Sequence, residues 1–200
     1  MLECNILQKV QSQSPTIPIH PEEIRKQMEQ SLVKLGKIVA TICFASFSTT
    51  SSAADLAQPK SEIILTVSGG IASTNADDTA VFDLDMIKEL GTTSIETTTI
   101  WTDGVQSFVG VPLTALPEAV EAEGTVIKAT AVNDYAIEIP LDDPTTTAAL
   151  IAYENNGSVM TLRDKGPLWI VYPYDEAPQF QTEVVYSRSI WQLDRIEITE

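Results

Sequence analysis

The sequence predicts a mixed α+β domain whose strands are mainly antiparallel. Short β-rich runs recur between residues 62 and 199, and short helical patterns separate them. Two of those runs alternate cleanly around Asn133-Asp134, the pattern of a hairpin. With 200 residues, 44 % of them hydrophobic, and only 11 Pro and 9 Gly, the chain suits one good domain rather than two.

Glu62 to Val67 is β-rich and bounded by Ser68-Gly69-Gly70, so it reads as the first strand. A polar loop through Asn75, Asp77 and Asp78 follows. Phe82 to Leu90 then reads as a short helix, capped by Asp83 and stopped by Gly91. Thr93 to Trp101 is dense in β-branched residues and predicts a strand. Pro112 to Ala122 suits a helix starting at Leu113, in which Pro117 must sit in the first turn or break the helix. In the hairpin, Ile127, Ala129 and Ala131 share one face, and Tyr135, Ile137 and Ile139 share another. Thr145 to Glu154 is expected to be a helix closed by Asn155-Asn156-Gly157. Leu168 to Tyr172 is a continuous apolar run, expected as a central strand, and Arg188 to Thr199 as a closing one.

Residues 1–54 read as an address label. Lys34 and Lys37 precede the apolar run Ile38 to Phe47, and Ser52-Ala53-Ala54 follows as a small-residue cleavage site. The run is too short for a membrane span, which needs ~20 residues. A true start at Met28 would account for the charged, aperiodic stretch ahead of it. The expectation is therefore a single domain over residues 55–200, exported to the periplasm after cleavage near Ala54.

Residues 55–200 hold 24 of the 28 acids but only 7 of the 12 bases, a net charge of −17. That argues against a nucleic-acid or anionic-membrane partner, because little is present to neutralise phosphates. The lone histidine, His20, and both cysteines, Cys4 and Cys43, precede this region. Cys–His pairs, Ser–His–Asp triads, imidazole or thiolate metal sites and covalent haem attachment are thereby excluded from it. Carboxylate pairs such as Asp142/Asp143 are what chance gives among so many acids.

Aromatic and hydrogen-bonding residues concentrate in four segments, 96–104, 133–135, 163–174 and 186–191, which hold all three tryptophans. Flat aromatic faces beside carboxylates suit a planar heterocycle, stacked and read at its edge. Trp101, Trp169 and Trp191 also read as the large core side chains of a small domain. Asp103 has an Asx-turn with Gly104 as its alternative, and Asp164-Lys165 a turn before a strand.

Gly110-Val111-Pro112-Leu113, Asn133-Asp134-Tyr135 and Gly166 to Pro173, closed by Ser189 to Ile198, resemble in this order the molybdopterin-binding domain of sulfite oxidase-type enzymes. The resemblance runs from Glu62 to Ile198 and implies that family's α+β fold, with a pterin in a groove. It also shows departures. Thr97 stands where the enzymes carry their molybdenum-ligating cysteine, and a hydroxyl is a poor substitute for a thiolate on that metal. Trp169 and Trp191 stand where the resemblance places cations that hold the cofactor phosphate. Thr98-x-x-Trp101-Thr102-Asp103-Gly104, Asp164 to Trp169 and Arg188 to Leu193 are similar to the small exported proteins of this fold that bind pterins without catalysis. Those proteins are associated with membrane signalling partners, sensor kinases and cyclic-di-GMP enzymes among them. The implied function is a pterin-binding ligand sensor without molybdenum chemistry. The alternative is a molybdopterin-dependent oxidoreductase with a non-cysteine metal site. The expected ligand-binding residues are Glu96, Thr97, Thr99, Trp101, Asp103, Asn133, Tyr135, Asp164, Lys165, Trp169, Arg188 and Trp191. No catalytic or metal-ligating residue is assigned, and the expected ligand is a non-covalent pterin.

Overall fold

The computed structural model describes residues 56–200, and these form ten strands and three short α-helices. The signal-like run, the Ala54 junction and Met28 lie outside the described residues. In chain order the elements are β1 (Leu65–Gly69), β2 (Ala80–Phe82), α1 (Leu84–Glu89), β3 (Thr93–Thr99) and β4 (Thr102–Pro112). Next come α2 (Ala115–Ala119), β5 (Val126–Ala131), β6 (Ala136–Pro140), β7 (Leu150–Asn155) and β8 (Ser158–Val159). β9 (Trp169–Val171), α3 (Glu183–Arg188) and β10 (Leu193–Thr199) complete the series.

The strands form two sheets. One runs β2-β1-β10-β5-β6, and the other β3-β4-β7-β8 with β9 also paired to β7. Every pairing is antiparallel except β1 with β10, where Thr66 faces Arg195. The α+β, mainly antiparallel architecture expected from the sequence is the one observed. The inner faces of both sheets share one core. Val67, Ile127 and Ile196 come from the first sheet, and Phe108, Ile151 and Ile170 from the second. Transfer of such side chains out of water, at roughly 25 cal/mol per Å², is what drives the two layers together.

Alternation sets the hairpin as anticipated. Ile127 pairs with Ile139 and Ala129 with Ile137, so both strands turn their apolar side chains inward. The connection is four residues, Val132 to Tyr135, with only Asp134 at positive φ (65°), rather than a two-residue turn. The first helix also follows the prediction, although Phe82 belongs to β2.

Asp83 is almost wholly enclosed and accepts N–H bonds from Met86 (2.9 Å), Lys60 (2.7 Å) and Ser61 (3.0 Å). One carboxylate therefore caps α1 and holds down the lead-in to β1. Asn75 straps the same lead-in, donating to the Ala57 carbonyl at 2.7 Å and accepting from the Val81 N–H at 2.7 Å.

Three expectations are corrected. Residues 145–154 are not a helix: a 3-10 turn (Thr146–Ala148) leads into strand β7. Leu150, Ile151, Ala152 and Tyr153 are all buried because β7 lies inside its sheet, and a continuous apolar run suits a buried strand as well as a buried helix. Arg188 ends helix α3 rather than opening a strand, since Thr182 caps the Val185 N–H and starts a helix there. Leu168 to Tyr172 contributes only the three-residue β9, laddered to β7 alone and touching Trp191 through a single bridge. Strand β4, the longest of all, was not anticipated. It is bulged, and Gly104 near its start adopts φ +72°, which interrupts the periodicity a straight strand would show.

Two predictions follow from these contacts. A Cβ on Gly110 would lie 2.1 Å from the Ile151 carbonyl oxygen and 2.6 Å from the Ala152 Cα. Gly110→Ala should therefore cost about 3 kcal/mol in urea unfolding, because backbone rather than a flexible side chain must move. Asp83, held at about 2 by the Met86, Lys60 and Ser61 N–H bonds, stabilises the fold fully above its unfolded pKa near 4. That contribution is lost as pH falls through 2. In acid-titrated melts, Asp83→Asn should lower the melting temperature at pH 6 and flatten its fall between pH 4 and 2.

Candidate functional site

Three segments meet at one surface cleft of about 350 Å³. Trp101 comes from the β3–β4 turn, and Ala131, Asn133 and Tyr135 come from the end of β5 and the turn after it. Tyr186, Ser187, Ser189, Ile190 and Trp191 come from α3 and the stretch that follows. No lining residue carries a formal charge.

The β3–β4 turn is built to present its tryptophan. Thr99 Oγ1 lies 2.7 Å from Thr102 Oγ1 and accepts the Trp101 N–H at 3.0 Å. The bulge that follows is fixed by Gln106, whose amide donates to the Asp103 carbonyl at 2.8 Å. That side chain in turn accepts from Asn156 Nδ2 at 2.9 Å. Trp101 is then half-buried, with its ring edge-on to Trp191 (5.6 Å), Trp169 (5.8 Å), Tyr186 (5.9 Å) and Tyr174 (6.2 Å). Edge-to-face geometry of this kind adds ~0.5–1.5 kcal/mol per pair beyond area burial.

Beneath the cleft lies a hydrogen-bonded floor. Trp169 is fully buried and its Nε1 donates to the Ser189 carbonyl at 3.2 Å. Tyr174 Oη donates to Ser189 Oγ at 2.6 Å, and that hydroxyl donates onward to the Val185 carbonyl at 2.8 Å. Burial pushes the Tyr174 phenol well above the ordinary tyrosine range, so it remains a donor at any physiological pH. Lys165, at positive φ (70°), places its ammonium 5.6 Å from the Trp169 ring centre and 5.9 Å from that of Trp191.

The twelve residues expected from the sequence divide accordingly. Trp101, Asn133, Tyr135 and Trp191 line the cleft. Trp169 lies under it, and Thr99 and Lys165 brace its tryptophans. The remaining five lie outside its lining. Glu96 is exposed on β3, and Asp103 is exposed in the bulge. Asp164 accepts from Thr161 Oγ1 at 2.7 Å in its own turn. Arg188 is buried against Asp143, with Nη1 2.8 Å from Oδ2.

Thr97 is buried in β3, where its hydroxyl accepts the Asp175 N–H at 3.2 Å and donates to the Thr98 carbonyl at 3.2 Å. Asp175 in turn accepts from the Thr98 N–H at 2.5 Å and its hydroxyl at 2.7 Å, which hold its carboxyl below the usual range. Five lining residues, Ala131, Tyr186, Ser187, Ser189 and Ile190, were not assigned to the site. The aromatic segment 186–191 is visible in the sequence, but no element is expected over residues 183–187, and the strand expected from Arg188 hides the turn that follows the helix.

The donor set does not fit a molybdenum centre. Thr97 offers a hydroxyl already engaged at both its donor and acceptor, and its neighbours supply no thiolate. Among the described residues no three His, Cys, Asp or Glu side chains converge on a common point. No lysine or arginine lines the cleft to hold a phosphate.

Fold and cleft together define an α+β domain of two β-sheets with an uncharged, aromatic-lined surface site. No family model and no curated protein matches the chain. Among solved structures it is similar to the sulfane dehydrogenase SoxCD from Paracoccus pantotrophus, with a TM-score of 0.46 and 18 % identity, over 68 % of this chain and 37 % of that one. The chain thus spans little more than a third of that protein's length, and a likeness so distant carries no weight for function.

The floor yields an ordered pair of expectations. Ser189→Ala leaves the buried Tyr174 hydroxyl without its acceptor and should cost about 1–3 kcal/mol. Tyr174→Phe removes the donor while Ser189 keeps its bond to Val185, so it should cost less, about 1 kcal/mol. Urea unfolding of the two variants checks the order.

Proposed function

We propose that this domain is a binding module, without metal chemistry of its own, that seats a planar heterocycle of pterin type in the cleft lined by Trp101, Tyr135, Tyr186 and Trp191. The observation that carries the reading is the cleft itself: about 350 Å³, open to solvent, walled by four aromatic rings and free of formal charge. That volume suits a ligand of one or two fused rings. The resemblance of residues 62–198 to the sulfite oxidase-type pterin-binding fold supports the same ligand class.

The hydrogen-bonding chemistry differs from the sequence-based expectation. A carboxylate, Asp103 first, was expected to read the ligand's N–H edge, yet no carboxylate lines the cleft. The side chains there are neutral: the indole N–H groups of Trp101 and Trp191 only donate, and the phenols of Tyr135 and Tyr186 and the Asn133 amide both donate and accept. Asn133 Oδ1 already accepts the Tyr135 N–H at 3.2 Å, which leaves Nδ2 to donate. Ligand carbonyl and ring-nitrogen lone pairs are what such a lining recognises. The uncharged lining favours an unphosphorylated ring. The signal-like N-terminal run extends the proposal to an exported protein that reports ligand occupancy to a membrane-bound signalling partner.

Titration with pterin, followed by quenching of tryptophan emission, tests the reading. Tyr135 is half exposed and packs little, so Tyr135→Ala should weaken pterin binding about five- to tenfold with no change in melting temperature. Asp103→Asn should leave affinity unchanged. Absence of saturable quenching in the wild-type protein would remove the pterin reading. A strong loss on Asp103→Asn would restore the carboxylate to the ligand's edge.

A further inference from the structure

We propose that Arg188 is a positioning residue for the cleft, fixing the wall carried by α3 and the stretch after it through its ion pair with Asp143. The inference rests on the cleft being the ligand site, and it assigns Arg188 no contact with the ligand.

Five of the nine cleft residues, from Tyr186 to Trp191, belong to this one stretch. Helix α3 has six residues, far below the length at which a helix holds itself together, so its place depends on what it is tied to. At its N-terminus Thr182 caps the Val185 N–H. At its C-terminus stands Arg188, the one lysine or arginine buried among the described residues, at 9 % exposure. Its Nη1 donates to Asp143 Oδ2 at 2.8 Å across to the β6–β7 connection. Asp143 is fixed in turn, since its Oδ1 accepts both the N–H (2.8 Å) and the hydroxyl (2.7 Å) of Thr145. The guanidinium holds the Asp143 carboxyl down at about 2, with the Thr145 bonds adding to the effect.

A largely buried ion pair adds little net stability over an apolar pair of the same size, and fixing one register is the best-attested use of such a pair. Here the register is that of Ser189, the next residue along. Its hydroxyl and carbonyl receive Tyr174 and Trp169, the floor of the cleft. Ile190 and Trp191 stay anchored to β9, through the Ile170 N–H to the Ile190 carbonyl at 2.9 Å and the Trp169–Trp191 bridge, so loss of the tie leaves the α3 part of the wall, Tyr186 and Ser187, to be ordered by the ligand on binding, which weakens affinity.

The test compares wild type with Arg188→Met, Asp143→Asn and Arg188→Lys. The readouts are near-ultraviolet circular dichroism, acrylamide quenching of tryptophan emission, thermal melting and titration with pterin. Arg188→Met and Asp143→Asn should melt cooperatively. Their aromatic dichroism should be weaker and their tryptophans more open to quencher without ligand, with pterin binding reduced about tenfold. Arg188→Lys, which still reaches one carboxylate oxygen, should recover most of the signal and most of the affinity. Unchanged spectra and affinity in both charge-removing variants would overturn the proposal. So would loss of affinity with unperturbed ligand-free spectra, which would make Arg188 a ligand contact. If both variants simply unfold, the pair belongs to the core alone and the proposal fails. A wild-type protein that binds no pterin would remove the ligand reading, while the ligand-free dichroism and quenching still decide the positioning role.

Discussion

Trp169 is enclosed on every side, and the geometry of the cleft depends on how that enclosure is achieved. Its ring meets Phe108 of β4 at 5.2 Å and near-perpendicular, Trp101 at 5.8 Å and Trp191 at 6.4 Å. Its backbone is laddered to Ala152 of β7 and bridged to Trp191, and its Nε1 is satisfied by the Ser189 carbonyl. One side chain thus connects the second sheet, the β3–β4 turn and the stretch after α3. Large aromatic rings tolerate little displacement in a close-packed interior, so the positions of Trp101 and Trp191 follow from it. The second-layer tyrosine and serine fill the remaining hydrogen-bonding needs of the same junction.

Acidity is distributed with comparable consequence. Residues 55–200 carry a net charge of −17, yet the cleft lining contains none of it. The carboxylates that are drawn into structure cap backbone N–H groups or pair with arginine, as Asp83, Asp175 and Asp143 do. Others, Glu96 and Asp103 among them, remain in solvent, where repulsion is screened over about 10 Å at ordinary ionic strength. Anionic ligands would thus approach against the field of the whole domain and find no cation in the lining. Neutral rings meet no such barrier.

The hairpin, α1 with its Asp83 cap and β3 were legible because each is governed by local rules: alternation, a capping side chain and β-branched density. Strand β7 was not, because Leu150 to Tyr153 is buried on both faces and loses its period. Helix α3 was missed because six residues give too few turns for a helical stripe, and Arg188 to Thr199 alternates well enough to suggest one long strand. The site followed the same division. Trp101, Asn133, Tyr135 and Trp191 stood out as aromatic or turn residues. Asp103, Glu96 and Asp164 were chosen as nearby carboxylates, and sequence proximity does not say which way a bulged strand turns its side chains. Arg188 was chosen as a polar ligand contact within the 186–191 segment, but its partner, Asp143, is distant in sequence.

The parallel pairing of β1 with β10 has a consequence for how the domain is made. β10 is the central strand of its sheet, flanked by β1 and β5, and it is also the last strand of the chain described. A chain emerging from its N-terminus can form the β5–β6 hairpin and much of the second sheet early, from neighbours in sequence. Strand β1 and the β5 edge must wait with half their backbone groups unpaired until residues 193–199 arrive. Such long loop closure slows folding. The first sheet can be completed only when β10 is in place between β1 and β5, and loss of that seven-residue strand would cost the domain the middle of the sheet rather than its rim.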